Sequence, residues 1–63
     1  MAKTTVTVKL VGEDGNAFAI LGRVKKALIA AGHKELAEEY MKAATSGDYD
    51  HLLQVTMEYV EVE

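Results

Sequence analysis

The sequence predicts a small α+β domain of order β-α-α-α-β, with three short helices packed on one face of a two-stranded sheet. Three observations carry this. Apolar residues alternate with polar ones near both ends of the chain, the period of a strand. Between those ends lie three stretches whose apolar positions recur at helical spacing. Glycine, asparagine, serine and aspartate collect where the period changes, and proline is absent from all 63 residues.

The first strand runs over Thr4–Val11. Val6, Val8 and Leu10 fall on its inner face, and Thr5, Thr7 and Lys9 on its outer face. Gly12-Glu13-Asp14-Gly15-Asn16 follows as a turn, because glycine reaches positive φ and Asx side chains bond nearby backbone. The first helix starts at Ala17, with Ala17, Ile20, Leu21, Val24, Ala27, Leu28 and Ala31 in one stripe and Phe18 at its edge. Asn16 stands where an N-cap belongs, and Gly32 where a helix-ending glycine belongs. The second helix spans Lys34 to Ala44, with Leu36, Ala37, Tyr40, Met41 and Ala44 inward and Glu35, Glu38, Glu39 and Lys42 in water. Thr45-Ser46-Gly47-Asp48 breaks it, and Asp48 caps the third helix, with Asp50 in its first turn. Tyr49, Leu52, Leu53, Thr56 and Met57 form the expected inner side of that helix. The alternating tail over Tyr59–Val62 is a terminal strand lying beside the first.

A chain of 63 residues is one domain (1–63, with 1–3 a loose N-terminus) and has a marginal core, which favours oligomerisation or unusually close packing. With no cysteine, disulfides and cysteine-ligated metal sites are excluded. No apolar run is long enough to span a bilayer, and no apolar signal segment precedes the first strand, so no membrane partner and a cytoplasmic setting are expected. The net charge of −3 opposes nucleic-acid binding, which draws its affinity from neutralised phosphates.

The strand, turn and helix start around Gly12–Gly22 have the outline of a phosphate loop. The glycines stand at 12, 15 and 22, so the dinucleotide spacing fails. No Gly-Lys-Ser/Thr enters the helix, and Glu13 and Asp14 would repel a phosphate. The stretch is therefore a turn and a cap. Gly22 sits inside the first helix at a cost of about 0.5–1 kcal/mol relative to alanine. Close approach of the second or third helix is its expected reason, and a notch for a partner is the alternative. His33 and His51 match no metal-ligand spacing, and Asp48 and Asp50, two apart on a helix, diverge. Ser46, the only serine, belongs to no nucleophile motif. Arg23, Lys25 and Lys26 make a small basic patch on the first helix, a solvated face with no aromatic interleaving to stack bases. Tyr59, if it lies in the last strand, faces outward with Thr5, Thr7 and Lys9.

The segments Asp14-Gly15-Asn16-Ala17-Phe18-Ala19-Ile20-Leu21-Gly22 and Ser46-Gly47-Asp48-Tyr49-Asp50-His51-Leu52-Leu53, joined by two helices and flanked by a Val-x-Val strand, resemble short uncharacterised proteins of bacteriophages and bacterial mobile elements. The resemblance covers about Val6 to Val62. It implies a bacterial or phage setting and an accessory role, and it assigns no catalytic or binding residue.

The expected function is that of a non-enzymatic interaction module, needing no cofactor and self-associating as a homodimer by pairing its first strand across a two-fold axis. An unidentified protein partner is a further expectation. Candidate contact residues are Thr5, Thr7, Lys9, Gly22, Arg23, Lys25, Lys26 and Tyr59. A nucleic-acid-associated accessory protein using the basic patch is a second class, distinguished by salt-dependent retention on nucleic acid. A small-ligand or metal-binding domain is a third, distinguished by a ligand-dependent rise in melting temperature.

Overall fold

The computed structural model of the chain describes residues 2–10 and 16–63. The element order is β1 (Thr7–Val8), α1 (Ala17–Ala30), α2 (Lys34–Ala44), α3 (Tyr49–Tyr59) and β2 (Glu61–Val62), the α+β arrangement the sequence predicts. The expected turn over Gly12–Gly15, and Val11 before it, lie outside the described residues.

Local chemistry sets the helix ends. Asn16 Oδ1 accepts the Phe18 amide at 2.8 Å, and Asp48 Oδ1 accepts the His51 amide at 2.9 Å, so both expected N-caps form. Gly32 has φ +86°, the left-handed region open to glycine. Around it the Gly32 amide donates to Ile29 O and the His33 amide to Leu28 O, the paired bonds of a Schellman turn. That turn ends α1 and delivers the chain into α2.

The core is assembled mainly between helices. α2 packs on both α1 and α3, while the strands are touched by α1 and α3. α1 contributes Ile20, Leu21, Val24 and Leu28, and α2 contributes Ala37, Tyr40 and Ala44. Val8 is the inward residue of β1, between exposed Thr7 and Lys9, as its alternation requires.

β1 and β2 are parallel, with Thr7 opposite Glu61 and Val8 opposite Val62. Parallel neighbours need a crossover connection, and the three helices supply it. The ladder runs on at either side: the Glu61 amide donates to Val6 O, the Glu63 amide to Val8 O, and the Leu10 amide to Glu63 O. Both strands are shorter than the expected Thr4–Val11 and Tyr59–Val62. Before β1 the backbone serves another purpose: the Lys3 amide donates to Glu58 O, and the Thr4 amide and hydroxyl both donate to Tyr59 O. These bonds satisfy carbonyls that the end of α3 leaves without helical partners.

The end of α3 requires two corrections. Tyr59 closes the helix rather than opening a strand, because Leu52, Val55, Thr56 and Tyr59 repeat at three- and four-residue spacing and bury one continuous face. Tyr59 is therefore buried, edge-on to Tyr40 with ring centroids 5.6 Å apart, and does not face outward with Thr5, Thr7 and Lys9. For the same reason the inner side of α3 includes Val55 and Tyr59, whereas Tyr49 and Met57 are exposed. Val60 turns inward, and Val62 is exposed.

Candidate interaction surface

α1 has two apolar sides. One is the core stripe. The other is formed by Phe18, Gly22, the Lys25 stem and Ile29, which fall on one line because residues spaced four, three and four apart share a helix face. Phe18 is 84% exposed and Ile29 45%. Phe18 thus stands beside the core stripe and outside the core.

Gly22 is the low point of this line. A Cβ built on it would meet nothing within 4 Å, so the expected close approach of another helix is absent. Instead the glycine floors two adjoining depressions. One is lined by Gly22, Lys25, Lys26, Ile29 and Ala30. The other is lined by Phe18, Ala19, Gly22, Arg23 and Lys26. Four of the expected contact residues, Gly22, Arg23, Lys25 and Lys26, are thereby brought together. All are exposed, and α1 carries no carboxylate.

Thr5, Thr7 and Lys9 lie apart from that face, exposed on β1 and the residues that flank it. Because Val6, Val8 and Leu10 direct backbone groups toward β2, strand alternation points those of Thr7 and Lys9 to the opposite, open edge. Tyr59 joins neither group. Its ring carries the Lys3 ammonium 4.7 Å from its centroid, and Lys3 also lies 3.6 Å from the Glu39 carboxylate. Burial, reinforced by the neighbouring Glu39 carboxylate and partly offset by Lys3, holds the Tyr59 hydroxyl above the usual tyrosine range.

A third apolar feature joins the helix starts. Phe18, Leu21, Tyr49 and Leu52 line an open depression of about 370 Å³ between the N-terminal ends of α1 and α3. Tyr49 is 44% exposed and Met57, further along α3, 57%. Phe18, Ile29, Tyr49 and Met57 were legible only through the second, outward line of apolar residues on each helix. The core stripe draws attention first because it is longer.

Ser46 and His51, which sequence spacing did not connect, do meet. Ser46 Oγ lies 3.2 Å from His51 Nε2, and both groups reach Ala43 O, at 2.7 and 2.9 Å. A carbonyl oxygen only accepts, so Nε2 carries the proton and donates to it. A protonated Nε2 cannot take the serine proton. The pair ties down the last turn of α2. Gly47 completes the arrangement: a Cβ there would stand 2.8 Å from the imidazole.

Among the described residues no three His, Asp or Glu side chains gather as metal ligands, and no helix is long and apolar enough to cross a membrane. No protein-family model matches the chain, and no curated protein or solved structure is similar to it.

Proposed function

We propose that the protein is a small non-enzymatic interaction module that self-associates, an accessory protein of a bacterial or phage cytoplasm. The observation that carries the reading is the outward line Phe18, Gly22, Ile29 on α1. It is an apolar surface over a glycine that no contact within the fold requires. Large exposed apolar side chains in contiguous grooves mark contact sites. The commitment of Ser46 and His51 to Ala43 O favours a non-enzymatic role. The phage setting rests on the resemblance of the two quoted segments.

The outer edge of β1 and its flanking residues, with Thr5, Thr7 and Lys9, is a second contact surface. Its short ladder and its lysine make it the weaker of the two, since edge lysines deter strand pairing. Sedimentation velocity over a concentration series tests the proposal. The wild-type chain is expected to exceed its 6.9-kDa monomer mass as concentration rises. Phe18→Ser with Ile29→Ser is expected to remain monomeric and folded. A wild-type monomer at all concentrations would remove self-association.

A nucleic-acid role is the second reading, favoured by three cations on a helix without acids. It predicts oligonucleotide binding that weakens steeply with salt.

A further inference from the structure

We infer that the occupant of the α1 face is the outer face of α3 from a second copy of this chain. The proposal rests on the reading of the protein as a self-associating module and names the surfaces that meet.

The charge on the two helices is complementary. α1 bears Arg23, Lys25 and Lys26 and neither aspartate nor glutamate. α3 bears Asp50 and Glu58 and neither lysine nor arginine. Among the described residues no carboxylate pairs with Lys25 or Lys26. An α1-to-α1 pairing would oppose like charges, whereas α1 against α3 opposes unlike ones.

The apolar relief also matches. On α3, exposed Tyr49 and Met57 stand either side of Leu53, which packs partly against the core, in a row at four-residue spacing, and Asp50, Gln54 and Glu58 form the next row. The outer α3 face is thus an apolar ridge beside an acidic row. The outer α1 face is an apolar line beside Lys26, with its low point at Gly22. Met57, unbranched and adaptable, suits an irregular notch of this kind. Ridges of one helix seat in the grooves of another, and a glycine lets the axes approach closely.

The two faces are contiguous within one copy, since Phe18 of α1 and Tyr49 of α3 line the same depression. Two copies related by a two-fold axis therefore place α1 on α3 and α3 on α1 at once. This closes the assembly as a pair. Of the exposed large apolar side chains among the described residues, the pairing covers Phe18, Ile29, Tyr49 and Met57 and leaves Val62.

Charge exchange tests the pairing. Lys25→Glu with Lys26→Glu makes one variant, and Asp50→Lys with Glu58→Lys the other. All four positions are exposed, and circular dichroism establishes that each variant folds. Each alone is expected to be monomeric by light scattering at concentrations where the wild type is a pair. Opposed like charges should raise the dissociation constant more than about a hundredfold. An equimolar mixture is expected to regain the pair, because both contacts are then complementary. Gly22→Leu, filling the notch, should also weaken the wild-type pair. A wild-type pair that neither charge variant disturbs would overturn this interface and leave self-association through another surface standing. A monomeric wild type would overturn both. A monomeric wild type that binds oligonucleotides through Lys25 and Lys26 would assign the face to nucleic acid instead.

Discussion

Tyr40 and Thr56 meet in the centre of the molecule, each with no exposed surface, and their hydroxyl oxygens lie 2.8 Å apart. Thr56 Oγ1 also lies 2.8 Å from Leu52 O, to which it must donate. Its single proton is thereby committed, so Tyr40 is the donor to Thr56. The chain Tyr40 to Thr56 to Leu52 O fixes α2 against α3 by direction as well as by contact.

Thr56→Val keeps the shape and strands the Tyr40 hydroxyl in an apolar site. A loss of about 1–3 kcal/mol is expected, from the cost of a buried unpaired polar group. Tyr40→Phe leaves Thr56 bonded to Leu52 O and should cost less. The double variant should be more stable than the sum of the two losses predicts. Urea denaturation of the four proteins measures this, and strict additivity would remove the coupling.

The two tested glycines should respond in opposite directions. Gly22→Ala meets open space and should raise the stability of the dilute monomer by about 0.5–1 kcal/mol, the helix preference for alanine. Gly47→Ala places a methyl group against the His51 ring and should lower stability by displacing the imidazole from Ala43 O. Thermal melts at low concentration compare them. A lower melting temperature for Gly22→Ala would mean that the glycine serves the fold after all.

Asn16→Ala removes the side chain that accepts the Phe18 amide, and should cost about 1 kcal/mol. Asn16→Gly should cost only a few tenths of that amount, because water then reaches the freed amide. An Asn16→Ala variant as stable as the wild type would show that the cap bond is not what the position contributes.

Alkaline pH should destabilise the protein through its buried tyrosines. Burial raises the pKa of Tyr40 against the opposing bond to Thr56, and burial followed by Glu39 raises that of Tyr59. The unfolded chain releases these protons near pH 10, and the folded chain holds them longer. The folded state then binds more protons, so stability is full below about pH 10 and falls as pH rises past it. Tyr59→Phe should flatten that fall, as read from urea midpoints taken on either side of pH 10. An unchanged slope in Tyr59→Phe and Tyr40→Phe together would remove the assignment.

The helix ends were legible because caps are local. Asn16, Gly32 and Asp48 act on backbone groups within a few positions, and their chemistry needs no distant partner. The inner faces of α1 and α2 were legible for the same reason, through uninterrupted spacing. The passage from α3 to β2 was not, because Tyr59 satisfies two periods at once. It continues the alternation with Glu61, and it also continues the helical series from Val55 and Thr56. Contacts with Tyr40, Thr4 and Lys3 decide between them, and those residues are remote in sequence. The contact face was half legible. Its cations and Gly22 stood out, while Phe18 and Ile29 were overshadowed by the longer apolar stripe on the same helix. The role of Gly22 depended on what surrounds it, and a sequence does not say that a position opens onto empty space.

The parallel register of β1 with β2 also dictates an order of events. Thr7 and Val8 find Glu61 and Val62 across nearly the whole chain, whereas every helical bond closes over a few residues. Closing so large a loop costs entropy that two strand residues alone cannot recover. The helices are therefore expected to associate first and bring the ends together, so that the strand amides are the last to gain protection in pulsed hydrogen exchange.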